Sequence, residues 1–393
     1  MNHSISFVAS ALAVLFHRFL LASVCAAMFL HCGSREKRAL TEAERILARA
    51  TSYLWANQGT DGGWHSTMHG VMRTGQTLTP YMLHALTEVP ADVFQIDSTH
   101  SYKAIKFLRA HINDRGVLGL ADADIIEYPN YSTAYALRVF VKLGDPADST
   151  RIRAMTAYLA GEQFTEQRGI LPGHPAYGSW GFGETNLSKG RVGHVDLSHT
   201  RHVLEALREA GWNDTTAMEK TTRFLRLLQK HPTHNQSPAK AYDGGFYFSP
   251  IVLDQNKAGK DDHAYRSYAT ATCGGIMALV ASGENRESEP VQAAMRWLAE
   301  NPTLDYPAGI PEDDPDHWRK VLFFYHLSVR AEVYHALGKQ GGWKDEIVRL
   351  LLERQDEDGS FANPYGSPNK EDDPLLATTL VVRTLTNLIS SNP

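Results

Sequence analysis

Asn57-Gln58-Gly59-Thr60-Asp61-Gly62-Gly63-Trp64 and Gln355-Asp356-Glu357-Asp358-Gly359-Ser360-Phe361 are two copies of one pattern, set near opposite ends of the chain. Asp-Gly is a turn dipeptide, because Asp bonds its own backbone and Gly accepts positive φ. The aromatic two positions after that glycine can fold back over the turn, and the Gln can bond backbone groups left free at a helix end. Tyr242-Asp243-Gly244-Gly245-Phe246 and Tyr177-Gly178-Ser179-Trp180-Gly181-Phe182-Gly183 repeat the pattern between them. Asp114-Arg115-Gly116-Val117-Leu118-Gly119 and Asp305-Tyr306-Pro307-Ala308-Gly309 are degraded copies. Six such loops imply six repeats of one helical unit, fastened by their turns.

The segments around the loops carry helical apolar periodicity, with no convincing run of strands. Twelve helices are expected, over about 42–57, 74–88, 97–111, 131–142, 148–163, 196–210, 214–230, 265–282, 288–300, 317–338, 343–355 and 373–390. They pair into six units beginning near 42, 97, 148, 214, 288 and 343. The fold class is therefore all-α, with residues 40–390 as a single domain.

Composition narrows the function classes. The 393 residues are 43% hydrophobic with a net charge of −5, and Lys and Arg are scattered, so no nucleic-acid partner is expected. Cys25, Cys32 and Cys273 cannot make a disulfide framework or a Cys-rich zinc module. Residues 1–38 read as a signal peptide or membrane anchor. Residues 5–30 are apolar apart from His17 and Arg18, and Ser34-Arg35-Glu36-Lys37-Arg38 ends the run. Cleavage near Val24-Cys25-Ala26, a lipoprotein signal ending at Cys32, and an uncleaved anchor of residues 5–30 all stay open. Each places the globular part outside the cytoplasm, exported or membrane-anchored.

Arg49-Ala50, Leu54, Gln58, Gly62 and Trp64 reproduce the spacing of the repeat of squalene and oxidosqualene cyclases. The same repeat occurs, looser, in protein prenyltransferase β subunits, and Leu351, Gln355, Gly359 and Phe361 match it with Phe for Trp. This resemblance to the prenyltransferase and squalene-cyclase repeat superfamily spans residues 40–390. It implies an α/α toroid of six outer and six inner helices, with the second helix of each pair lining a central cavity.

The catalytic motifs of that superfamily are not intact. Class II terpene cyclases use Asp-x-Asp-Asp, and the nearest string, Asp122-Ala123-Asp124-Ile125, lacks the last acid. In the prenyltransferase zinc site, Asp-x-Cys becomes Asp196-Leu197-Ser198, and Ala269 aligns where the His should be. No cofactor is called for. The one set that would hold a divalent metal is Asp196, His199 and His202, which share a helix face. Plain capping by Asp196 or Ser198, with packing by the histidines, accounts for the same residues.

Three function classes follow. The first is a toroid that binds or processes a small apolar or isoprenoid-like molecule. The second is a carbohydrate-active lyase or hydrolase, which needs a carboxylate pair in the cavity. The third is a non-catalytic scaffold with a filled centre. For the first, Asp196 and His199 are the candidate catalytic residues, and Tyr131, Ser198, His202 and Tyr268 the candidate ligand contacts. Asp196, His199, Tyr131 and Tyr268 are expected to face one cavity, with Tyr265 and Tyr325 nearby. The inner-helix N-termini there are expected to favour an anionic group through unpaired N–H groups.

Overall fold

The six loop motifs each sit between two helices, and the four that keep the Gln fasten their pair to the next. In this computed structural model, which describes residues 38–232, 242–262 and 264–390, thirteen helices and no strands are formed among the described residues. They are α1 (Glu42–Ala56), α2 (Leu78–Thr87), α3 (Ser98–His111), α4 (Pro129–Leu143), α5 (Ser149–Gly161), α6 (Leu197–Glu209) and α7 (Thr215–Leu228). After these come α8 (Ala269–Ala281), α9 (Glu289–Glu300), the single turn α10 (Trp318–Val321), α11 (Phe323–Ala336), α12 (Trp343–Leu352) and α13 (Pro374–Ile389). The segment from Thr41 onward forms one compact unit.

Helices α2, α4, α6, α8, α11 and α13 pack each against the next, and α13 returns to α2, closing an inner ring. Helices α1, α3, α5, α7, α9 and α12 pack outside it. The sequence explains the partition. Inner α2 is buried from Leu78 to Leu86, whereas outer α3 buries only Ala104, Phe107 and Leu108. An amphipathic helix can bury one stripe; a helix apolar all round must be surrounded. The architecture is the α/α toroid that the repeat implied.

The Gln of each well-kept loop makes the same two bonds. Gln58 Nε2 donates to the Gly62 and His100 carbonyls at 2.9 and 3.0 Å. Gln163 reaches Gly178 and Ala217, Gln229 reaches Gly244 and Pro290, and Gln355 reaches Gly359 and Ile46. One carbonyl belongs to the loop, the other to the next outer helix. Gly178 has φ +89°, and a Cβ there would lie 2.0 Å from the Lys220 carbonyl oxygen on α7. Only glycine permits that approach.

Trp64 and Trp180 are fully buried. Their indole N–H groups donate to the Leu54 and Leu159 carbonyls at 2.6 and 2.7 Å, near the ends of the outer helices. A second column runs through the inner helices and was not anticipated. The backbone N–H of Trp64, Leu118, Trp180, Phe246 and Phe361 donates to the hydroxyl of Thr79, Thr133, Thr200, Thr272 and Thr378 respectively. Each loop is thereby pinned to its own inner helix as well as to the next outer one.

The helix expected over 317–338 is cut at Leu322. Asn363 Nδ2 donates to the Lys320 and Val321 carbonyls, while Phe324 and Tyr325 N–H groups donate to the Glu371 carboxylate at 2.9 Å each. Side chains from the last loop thus replace the helical bonds that would have joined α10 to α11. The signal peptide or anchor expected over 1–38 lies outside the described residues, except for Arg38. No described helix is long and apolar enough to cross a membrane.

Candidate functional site

The N-terminal ends of the inner helices gather at one mouth of the ring, where a cavity of about 280 Å³ opens. Tyr131 on α4, Asp196, Ser198 and His199 at the start of α6, and Tyr268 at the start of α8 all line it. Tyr81, Tyr128, Phe182, Phe248, Trp318 and Tyr325 add six more aromatic rings, and Met72, Leu78, Leu197, Leu322, Leu376 and Leu380 add aliphatic surface, so the wall is aromatic and aliphatic with a few polar groups. Tyr265 is not among these residues and instead stacks on Tyr247, centroids 5.5 Å apart.

Asp196 is the N-cap of α6 and accepts the His199 backbone N–H at 2.8 Å. Its carboxylate also receives His194 Nε2 at 2.8 Å and His199 Nδ1 at 3.0 Å. Burial pushes this carboxyl up, but His199 and His194 outweigh it and hold the group well below the usual carboxylate range. Asp196 is therefore an ionised orienting group. It fixes the His199 ring through Nδ1 and leaves Nε2 as the nitrogen available to the cavity. Phe182 lies against both imidazoles, with centroids 3.9 Å from His194 and 4.4 Å from His199.

His202 does not line the cavity. It is buried one turn further along α6, with Nδ1 3.3 Å from both the Tyr135 hydroxyl and Glu205 Oε2. Burial pushes its imidazole down to about 4, so it is neutral at pH 7. The Asp196–His199–His202 metal set is thereby split. Among the described residues no three His, Cys, Asp or Glu side chains come together as metal ligands.

Below the cavity the ring is stoppered by charge. Arg201 Nε donates to Glu205 at 2.6 Å, and its Nη2 lies 2.5 Å from Glu332 on α11. Arg138 on α4 meets Glu205 at 3.5 Å and Glu209 at 2.6 Å. Arg383 on α13 lies 5.4 and 5.6 Å above the Tyr81 and Tyr135 rings, with His84 Nδ1 3.4 Å from Nη1. Five of the six inner helices contribute; only α8, built from small residues, does not. The toroid centre is neither wholly open nor wholly filled.

The expectation of free helix N-termini at the mouth fails at four of the six inner helices, while α4 and α8 start at Tyr128 and Tyr268 without a side-chain cap. Glu127 accepts the Thr74 and Thr77 N–H groups before α2, Asp196 caps α6, Glu371 caps α11, and Asp373 caps α13. At these four helices the protein's own carboxylates occupy the positions an external anion would take. Asp313, Asp314 and Asp316 are likewise not an acid cluster in the cavity, and Asp122 is tied to Arg73 at 2.9 Å.

Lys257 is a charged cavity-lining residue that sequence reasoning missed. Its amine lines the cavity, donates to Gln255 Oε1 at 2.7 Å, and lies 4.1 Å from the Trp318 ring centroid. Burial pushes it down to about 8, against the opposing pull of Asp196, Asp254 and Asp316. Nothing local in the sequence marks it, since it sits in the long loop before α8. Three non-glycine residues have positive φ among the described residues, namely Tyr128, His317 and Lys370. Tyr128 and Lys370 line the cavity, and His317 is the N-cap of α10, whose Trp318 does so. Strain of this kind concentrates where a site over-determines its backbone. Cys273, by contrast, is a buried free thiol pushed up to about 11 by burial, and so inert at neutral pH.

No protein-family model matches the chain, and no curated protein matches it in sequence. Solved structures do. A substrate complex of the type II terpene cyclase MstE from Scytonema, with geranylgeranyl dihydroxybenzoate, aligns at 15% identity and TM-score 0.55, over 88% of this chain and 97% of that one. The apo form of MstE aligns at 15% identity and TM-score 0.55, over 88% and 98%. A protein from Actinoplanes aligns at 15% identity and TM-score 0.54, over 89% and 100%. The chain has the α/α-toroid fold of the terpenoid cyclases.

Proposed function

We propose that the ring binds a compact apolar, isoprenoid-like molecule in its central cavity, with the molecule's polar end beside Asp196, His199 and Lys257. The observation that carries this reading is the cavity itself: aromatic and aliphatic walls, one polar cluster, and a charged stopper that ends it. Ligand sites in general span about 300–1,000 Å³, so this one suits a short chain rather than a long polyene. Structural likeness to MstE, which was solved with substrate and with the product merosterolic acid A, supports an isoprenoid-like occupant.

Type II cyclisation is not the reaction proposed. That chemistry needs a carboxylic acid able to protonate an alkene, and the one carboxylate on the cavity wall among the described residues, Asp196, is held ionised by two imidazoles. A lone carboxylate also leaves glycoside chemistry without its second acid. His199, oriented by Asp196, is the group placed to take or return a proton. The N-terminal 38 residues suit export or membrane attachment, which would put this site outside the cytoplasm.

Mass spectrometry of small molecules extracted from the purified protein tests the reading. A retained apolar compound, lost from His199→Ala while thermal stability is largely kept, supports it. Asp196→Ala should cost more stability, since Asp196 also caps α6. An empty protein that shows no saturable binding of C10 or C15 isoprenoid alcohols would overturn it.

A further inference from the structure

Among the cationic groups in the heart of the ring, Lys257 is a primary amine and, unlike Arg201 and Arg138 in the stopper, is not matched by a carboxylate. Lys257 has no carboxylate within 4.0 Å among the described residues, and its hydrogen-bond acceptor is the neutral Gln255 side chain. A second ammonium, Lys370, lines the same cavity.

The lysine is also held rigidly. Asn256, its neighbour, is buried and accepts the Phe248 and Ser249 N–H groups at 2.8 and 3.0 Å. The same side chain donates to the Ser249 and Leu253 carbonyls at 2.9 and 3.1 Å. The loop is anchored in turn to α6, through Leu197 N–H to the Phe248 carbonyl and Ser249 Oγ to the Val195 carbonyl. A partly buried amine without a carboxylate partner, beside the Trp318 ring and fixed by a fully bonded loop, matches the environment that makes lysine a nucleophile.

We infer that Lys257 captures the carbonyl group of an apolar aldehyde or ketone as a reversible imine inside the cavity. The inference rests on the reading of the cavity as a ligand site and names the polar end of the ligand. The amine lone pair adds to the carbonyl carbon, and the C–O π pair goes to oxygen, which is protonated to give a carbinolamine. Nitrogen then forms the second C–N bond as the hydroxyl leaves. The two protons lost from nitrogen end on the departing water, so one water is released and nothing is oxidised or reduced. His199, which lines the same cavity and is oriented by Asp196, would carry a proton from nitrogen to the leaving oxygen. Burial supports the step, because an ammonium pushed down to about 8 leaves about a tenth of the amine neutral at pH 7.

Three C10 probes of one skeleton test it on the full chain: geraniol, citral and geranic acid. With citral and cyanoborohydride, the intact mass should rise by one aldehyde less its oxygen. Peptide mapping should place the adduct on Lys257, and excess geraniol should block it. Lys257→Arg, checked for a native circular dichroism spectrum, should lose the adduct. Geraniol binding with no adduct, or with label spread over surface lysines or placed on Lys370, overturns the imine and leaves the cavity reading standing. Preference for geranic acid over citral, again with no adduct, overturns it in favour of an ion pair. Failure of all three probes to bind sinks both readings.

Discussion

Arg49 donates from Nη2 to the Asp356 and Glu357 carbonyls, both at 2.9 Å, across 307 and 308 positions of sequence. The last loop motif thereby docks on the first helix. Gly359 lies against the same residue, with φ +94° and space for a Cβ only 2.7 Å from the Arg49 carbonyl oxygen. Gly359→Ala should therefore destabilise by more than the roughly 1–2 kcal/mol that a left-handed residue with a Cβ costs by itself. Urea denaturation monitored by circular dichroism measures it, and an unchanged midpoint would count against this joint as a fastening.

Trp64→Ala should cost about 3–5 kcal/mol, because it removes a fully buried indole and its bond to Leu54. Thr200→Val keeps shape but leaves the buried Trp180 N–H without its acceptor, at about 1–3 kcal/mol. If either variant melts with the native protein, the loop motif is decoration rather than structure.

The stopper predicts a non-additive pair. Arg201→Met leaves Glu205 and Glu332 facing each other in the core and should cost about 3–5 kcal/mol. Adding Glu332→Met should recover part of that loss, because the surplus buried charge is removed along with its partner. A double variant that simply sums the two single effects would refute the coupling.

Glu371 predicts a pH signature. Burial pushes its carboxyl up from the ordinary 4.5 to about 7, against the pull of the Tyr325 and Phe324 N–H groups. A raised folded value means that the folded state holds the proton more tightly. Its contribution is fully present below pH 4.5 and is lost as pH rises through 7. Glu371→Gln should thus gain on the native protein between those two values, by about 3 kcal/mol at most. Parallel stability-versus-pH curves for the two proteins would contradict it.

The fold was legible because a turn must be written locally. Gln58, Gly62 and Trp64 carry the joint in a few residues, and the inner–outer alternation follows once six such joints are counted. The Thr79, Thr133, Thr200, Thr272 and Thr378 column was missed because each hydroxyl meets its loop across a gap of varying length. The site was legible where one helix start holds it. Asp196, Ser198 and His199 are consecutive enough to be seen, and Tyr131 and Tyr268 open neighbouring inner helices. His202 was misplaced because helical spacing from Asp196 does not say which neighbour a ring will meet, and Glu205 and Tyr135 were nearer. Lys257 could not be read at all, since its setting comes from Trp318, which reaches it from a distant segment. The capped mouth was missed for the same reason: Glu127 and Glu371 lie on loops far in sequence from the N–H groups they bind.

Because the joint between the last repeat and the first is built like the others, the ring has no intrinsic beginning. Gln355 meets Ile46 as Gln58 meets His100, and α13 packs on α1 and α2 as part of the same circuit. The order in which the helices leave the ribosome is therefore incidental to the final packing. A gene that fuses residue 390 to residue 41 through a short flexible linker, and opens the chain instead in an inner-to-outer connection such as that between α4 and α5, encodes the same circuit of contacts from a different starting point.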